Sequence, residues 1–570
     1  MTLAPACPSP SRPLALPASR ALVLILVVAA ALPVRLVNLS ASGFSEDEIN
    51  KWHAVQAYRA GDFTANAEHP MLMKLAAWAS VTAGDWWNAH QPGGSVVRIS
   101  PETALRVPNA VAGAATTAVI FLLGEALFDT PVAAWAAWLW AFDVNASAIN
   151  RTAKEDTLLL FFLLLGAWWY ERGARWHTHA GASFGLMLAS KYMPHYFGLH
   201  ALYAFVANPR RDFGVPGRLM KLYGAMAAVF LAANFAIVVP ATWQYLITFV
   251  RSHGLRHTGY MFAHRVYVNG MFTSPWGVPP WFYLTYLVTK PPIVVLAASA
   301  AGIVWTWRHP DHRGAVFIRV FLVFTLLPYS LVSGKFVRYM LPVLAVLDLA
   351  AAVGIVMLLR RVAAPAVAAA IIVALLAANV VAAAPHYSLA QNSVGAWIGA
   401  PGSLFPDDEF YDAGVREAVA MIASAAEPGA VLCSEAPAVV AAYLGLDDRP
   451  DIASCSLVRD GLPMRPVDTW VIVQDGHTYF ENAATVENLR RRLRPDADVR
   501  IAGGSALSVF HLAAASHVGS GFPPSLRFRL RAKRSDATST KLEEARRVGE
   551  ARRSAERGGG SRRGVTSWMP

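Results

Sequence analysis

The stretch ASGFSEDEINKWHAVQAYRAGDF, residues 41–63, sets Glu46, Asp47 and Glu48 side by side directly after the apolar run ALVLILVVAAALPVRLVNLS. That run is long enough to enter a membrane. Adjacent carboxylates at a membrane exit repel one another and contribute nothing to insertion. They are either a solvated loop or groups facing a site that needs a base. A local structural reason also exists: with Ser45 as a cap, Asp47 and Glu48 would sit in a first helical turn and favour its dipole.

More charges gather at the ends of apolar segments. ALRVPNAVAG carries Arg106, NRTAKEDTLLLFF carries Arg151, Lys154, Glu155 and Asp156, and SKYMPHYF carries Lys191 and His195. LVSGKFVRYMLPVLAVLDLA adds Lys335, Arg338 and Tyr339. Ionisable groups near or within spans are costly and are functional candidates by default. One carboxylate, several cations and a membrane body suit glycosyl transfer from a lipid-phosphate sugar. A departing phosphate needs no proton, unlike the poor leaving group of a glycosidase. One general base then suffices to deprotonate an acceptor hydroxyl, and Lys and Arg stabilise the charge gathering on the phosphate. Plainer roles stay open: Arg106 and Arg151 could pair with Asp156 or other acids to hold spans together, Lys335 and Arg338 could snorkel to headgroups, and His69 could cap a helix.

Composition says what must position these groups. Of 570 residues, 55% are hydrophobic and 15% charged, against about 25% charged in a soluble domain. The formal charge of +12 lies in short loops and in the last fifty or so residues, which is topology and a tail, not a nucleic-acid groove. Eighteen Trp and seventeen Tyr fit aromatic belts. Apolar segments fall at 20–38, 105–126, 131–148, 156–170, 180–191, 193–207, 222–240, 282–306, 315–333, 336–358 and 363–384, about eleven transmembrane helices, several of them short. With residues 1–19 cytoplasmic, the basic loops 171–177, 208–221, 308–314 and 360–361 all lie inside. Loops 39–104 and 241–281, and everything after 385, then lie outside.

After Pro385 the pattern changes to alternating helices and strands, which predicts a small α/β domain at 406–515. Residues 516–570 read as a basic, disordered tail. Three cysteines exclude a Cys-rich metal centre, and Cys433 and Cys455 could pair outside the cytoplasm.

FSEDEINKWHAVQAYRAGDF followed by EHPMLMKLAAW resembles the first external loop of the protein O-mannosyltransferase group of GT-C glycosyltransferases, and the later motifs follow in the family's order through residues 20–385. The aminoarabinose transferases that modify lipid A are similar in their membrane part. The resemblance implies a mainly α, polytopic GT-C-like fold, with Asp47 as catalytic base and Glu48 beside it. His69, Pro70 and Lys74 match the family's His-Pro motif, although Met71 and Met73 replace its second proline and its glycine. Arg106, Arg151, Asp156, Lys191, Lys335, Arg338 and Tyr339 fall on polar positions that would bind donor phosphate or substrate. The expected activity is inverting transfer of a sugar from a polyprenyl-phosphate donor to a hydroxyl of protein, lipid or glycan. It would take place on the outer face of a bacterial inner membrane, with membrane lipid and no nucleic acid as partner. No cofactor is certain. A divalent metal could be held by EHP and HTGYMFAH, two loops without fixed spacing. A lipid-linked-sugar transporter or a non-catalytic receptor on this scaffold would be the rival readings; the charges cluster at one face and no internal repeat is visible, unlike many transporters.

Overall fold

The computed structural model describes residues 18–91, 97–207, 217–252, 256–270, 277–463 and 467–513. The N-terminal apolar run forms α1 (Ala18–Leu36), and the first long loop contains α2 (Glu46–Arg59) and α3 (Leu72–Ala89). The chain continues through α4 (Pro101–Leu127), α5 (Thr130–Phe142), α6 (Val144–Asn150), α7 (Glu155–Glu171), α8 (His177–Ser190), α9 (His195–Ala207), α10 (Arg218–Ala233) and α11 (Pro240–Ser252). An antiparallel hairpin, β1 (Arg256–Phe262) and β2 (Arg265–Gly270), lies in the second long loop. It is followed by α12 (Phe282–Thr289), α13 (Ile293–Arg308), α14 (Arg313–Leu331), α15 (Leu341–Leu359) and α16 (Pro365–Ala383).

Local chemistry sets these boundaries. Ser100 accepts from the Thr103 N–H at 3.2 Å with Pro101 in the first turn of α4, and Asp129 accepts from the Val132 N–H at 3.0 Å to start α5. Asp143 caps α6, and the chain bends by 61° between α5 and α6. At SKYMPHY, Pro194 cannot donate to a helical ladder, so α8 stops at Ser190 and α9 begins at His195. α15 is buried along nearly its whole length and crosses α13 closely. A Cβ on Gly302 would stand 1.8 Å from the Ala350 carbonyl oxygen and one on Gly354 2.1 Å from that of Ala298, so only glycine lets the backbones approach this far.

Each expected membrane segment falls on a helix or a broken helix. Four of the described helices are long and apolar enough to cross a membrane: Pro101–Leu127, Arg313–Leu331, Val337–Leu359 and Pro365–Ala383. Counting each bent pair, α5 with α6 and α12 with α13, as one span raises this to six. The other expected segments do not meet that test of length and composition.

Beyond α17 (Ser393–Ile398) and α18 (Pro406–Phe410), the chain builds a five-stranded sheet from β3 (Val431–Ser434), β4 (Ala453–Ser456), β5 (Thr469–Gln474), β6 (Ala497–Ile501) and β7 (Gly504–Leu512). The order is β4-β3-β5-β7-β6, with β3 parallel to β4 and β5, and β7 antiparallel to β5 and β6. Cys433 faces Cys455 in register, and the two form a disulfide. α19 (Val415–Ala425) and α20 (Pro437–Leu446) contribute to the core on one side, and α21 (Ala483–Arg492) to a second cluster with Val471, Val473 and Phe510. The first of these cores does not stop at the sheet. Leu432, Ile472 and Leu507 share it with Phe44, Ile49 and Val55 of the first long loop. Residues 516–570 of the expected tail lie outside the described residues.

Candidate active site

One end of the helical body carries a cleft, open to solvent, whose walls include Glu48, Arg106, Arg151, Lys154, Arg338, Asp408 and Tyr411. Asp47 adjoins it. α2 starts at Glu46 behind Ser45, so both readings of SEDE meet here: Glu48 serves the cap, accepting from the Ser45 N–H at 3.1 Å and the Ser45 hydroxyl at 3.2 Å. Asp47, one residue earlier, points another way and is 32% exposed at its side chain. Its Oδ2 pairs with the Lys154 ammonium and accepts the Tyr411 hydroxyl, while Oδ1 makes no hydrogen bond among the described residues.

The run Lys154-Glu155-Asp156 at the start of α7 distributes three charges to three partners. Lys154 reaches Asp47, Glu155 lies 2.7 Å from the Lys51 ammonium and 3.6 Å from His69 Nδ1, and Asp156 accepts from Lys191 at 2.7 Å. Lys191 also lies 5.1 Å from the centre of the Tyr339 ring. A first helical turn is a favourable place for the two carboxylates.

Several expected ligands are engaged with the protein itself. Arg106 donates to Glu48 through Nε and Nη2 at 2.7 and 2.6 Å, and to the carbonyls of Leu39, Ser42 and Gly43 at 2.7, 2.8 and 2.6 Å. Arg151 donates to the carbonyls of Val34, Arg35, Val37 and Asn38, closing the open end of α1. Lys74 donates to the carbonyls of Ala65, Asn66 and His69 and is 1% exposed; burial pushes its ammonium down to about 7. Lys335 is buried, donating to the Val332 carbonyl, and does not line the cleft. Arg338 differs. Its guanidinium stacks 4.0 Å from the centre of the Phe336 ring, lines the cleft and, among the described residues, makes no hydrogen bond or ion pair.

Sequence reasoning did not find the contribution of PDDEFYD, which enters the cleft from beyond residue 400. Asp408 accepts from Tyr260 and, at 3.1 Å, from the Val337 N–H. Glu409 pairs with Lys290, whose ammonium also donates to the carbonyls of Ser388 and Ala390 at 2.9 Å. Behind them lies a group made of the half-buried Asp407 and the buried Asp412, Glu435 and His477. His477 Nε2 stands 3.7 Å from Asp407 and its Nδ1 3.5 Å from Asp412. Burial pushes the carboxyls of Asp407 and Glu435 up to about 7. His477 is raised because its acidic neighbours, Asp412 first, outweigh its burial. A density of acids in an otherwise apolar loop was the only available signal. Among the described residues no group of three or more His, Cys, Asp or Glu is arranged to hold a metal ion; of the expected metal loops, the His257 side chain lies outside the described residues.

Helices long and apolar enough to cross a membrane and a charged cleft at their end are what the chain has to compare with known proteins. The family model described as dolichyl-phosphate-mannose-protein mannosyltransferase matches residues 94–246. A curated relative, undecaprenyl phosphate-alpha-4-amino-4-deoxy-L-arabinose arabinosyl transferase 1 of Pseudomonas fluorescens, is 26% identical over 260 residues, which is 43% of this chain and 44% of that one. The chain thus spans less than half the length of that relative. Among solved structures, ArnT from Cupriavidus metallidurans bound to undecaprenyl phosphate is 16% identical, with 86% of this chain and 97% of that chain covered and a TM-score of 0.45. The apo oligosaccharyltransferase of Archaeoglobus fulgidus is 11% identical, covering 80% and 69%, also with a TM-score of 0.45. The family model and the curated relative bear out the resemblance to GT-C membrane glycosyltransferases of the O-mannosyltransferase and aminoarabinose transferase group.

Proposed function

We propose that the chain is an inverting glycosyltransferase that moves a sugar from a polyprenyl-phosphate donor to a hydroxyl of a protein, lipid or glycan on the outer face of the membrane. Asp47 is the base. The acceptor oxygen attacks the anomeric carbon as the bond to the phosphate oxygen breaks. The bonding pair leaves with the polyprenyl phosphate, and the acceptor proton passes to Asp47 Oδ1. Arg338 stabilises the departing phosphate, and Lys154 holds the base in place. A single displacement inverts the anomeric configuration.

The observation that carries this reading is the presence, beside one cleft, of a carboxylate whose Oδ1 makes no hydrogen bond and a guanidinium that makes no hydrogen bond or ion pair, both among the described residues. The half-buried Arg338 guanidinium is a charge that a ligand would complete. The outward orientation is supported by the basic loops expected at the opposite end of the spans. Glu48 and Arg106 are scaffold in this account, since their hydrogen-bonding groups are filled by protein. The test is to incubate the purified chain with a polyprenyl-phosphate sugar and a native lipid and protein extract, then read the product's anomeric configuration by NMR. Inverted product supports the reading, and retained configuration contradicts it.

A further inference from the structure

We propose that Tyr411, in the segment leading to the C-terminal sheet, is a positioning residue for the Asp47 carboxylate, and that Asp412 with His477 and Gln474 is the clamp that keeps it there. This rests on the reading of Asp47 as the base.

The contact crosses 364 residues of sequence: the Tyr411 phenol donates to Oδ2 of Asp47, the oxygen already paired with Lys154. Two donors on one oxygen fix the carboxylate's rotamer and leave Oδ1 for a proton. A donor to the ionised form also favours that form.

The backbone supplies a second, independent observation. Tyr411 and Asp412 are consecutive non-glycine residues in the left-handed region, at φ 45° and 64°. Such residues persist only where surrounding contacts over-determine them, and they cluster at functional sites. Here the contacts are visible. Asp412 Oδ2 accepts the Glu46 N–H at 2.8 Å, the residue before Asp47 and the first of α2. Its Oδ1 accepts from Gln474 Nε2 at 2.7 Å, at the end of β5, and lies 3.5 Å from His477 Nδ1. The Gln474 N–H in turn donates to Glu435 at 3.1 Å. One side of the clamp grips the backbone of α2 beside the base, and the other is anchored in the sheet. The sheet thereby sets the register of Tyr411 on Asp47.

The test uses the full chain with the donor assay above and compares Tyr411→Phe with wild type. The expected result is a kcat lower by roughly 10- to 100-fold, a donor KM within about twofold, and an acid limb of the pH–rate profile moved up by about half a unit or more. The direction follows from the lost donor to the ionised carboxylate. A rate within about twofold of wild type, or a slower rate with the acid limb unmoved, overturns the proposal. Asp47→Asn is run alongside: lost transfer there with a normal Tyr411→Phe sinks the positioning role alone, whereas undiminished transfer sinks the base and the positioning role together. If Tyr411→Phe does not fold, Asp412→Asn replaces it, with the same drop in rate and upward shift expected and the same results overturning the proposal.

Discussion

Arg106 and Glu48 form a bidentate ion pair in which both groups are filled: three carbonyls take the remaining Arg106 donors, and the Ala153 and Ser45 N–H groups donate to Glu48. Both are buried. Removing one partner of a buried pair leaves the other charge uncompensated, at a cost of about 3–5 kcal/mol. Glu48→Gln is therefore expected to lower the thermal unfolding midpoint of the purified protein sharply. Asp47→Asn removes a partly exposed group but leaves the buried Lys154 without its carboxylate, so it is expected to cost less stability than Glu48→Gln. Equal losses in the two variants would contradict the division of SEDE into scaffold and base.

Arg338 and Arg151 both line the cleft, but only Arg151 is held by protein carbonyls. A hydrogen bond to a charged group contributes about 1.5–3 kcal/mol. Arg338→Gln should thus weaken polyprenyl-phosphate binding by roughly 10- to 100-fold in a titration of the solubilised protein. Arg151→Gln should lower stability by loosening the end of α1, with donor affinity within about threefold of wild type.

The group around His477 makes stability depend on pH in a defined direction. Asp407 and Glu435 titrate near 7 in the fold, above their ordinary values, because burial disfavours their charged forms. His477 is raised by Asp412, Asp407, Glu435 and Glu46. A raised folded value means that the native state binds more protons than the unfolded chain. The carboxyls' contribution is present below their ordinary range near pH 4 and is lost as pH rises through about 7; that of His477 is present below its ordinary value and is lost above its raised one. Glu435→Gln, which cannot ionise, should raise the unfolding midpoint at pH 8.5 relative to wild type and leave it little changed at pH 5.5. A gain at pH 5.5 alone would contradict this.

Asp348 lies within α15 and is 3% exposed, and its Oδ2 has no hydrogen-bond partner among the described residues. A buried polar atom left unpaired costs stability. Asp348→Leu is expected to keep or raise the unfolding midpoint and leave sugar transfer within about twofold of wild type. Loss of transfer would give this carboxyl a part in the reaction.

How much of this was legible in the sequence differs by element. Apolar runs place the helices because they are a local signal, but not their starts: α4 begins at Pro101 behind Ser100, ahead of the apolar segment expected from 105, and α5 at Thr130 behind Asp129. Count and crossing were less accessible. Short spans such as those around Pro194 are decided by packing against neighbours, which no window of sequence contains. In the site, the charge-bearing positions were visible because ions at span ends are conspicuous. Their division of labour was not, since Arg106, Arg151 and Arg338 look alike until the carbonyls that engage the first two are seen. Tyr411 was invisible for the same reason: its partner lies 364 residues away, and its left-handed backbone has no marker such as glycine.

Asp47, in the proposed reaction, takes the acceptor proton in sugar transfer from a polyprenyl phosphate. The most direct test measures transfer by wild type and by Asp47→Asn from one purified donor in native extract, with donor binding measured in parallel. Wild type is expected to transfer the sugar, and the variant to do so at least about 100-fold more slowly, in keeping with loss of a general base, with donor affinity within about threefold. Transfer at equal rates by the two proteins would contradict it.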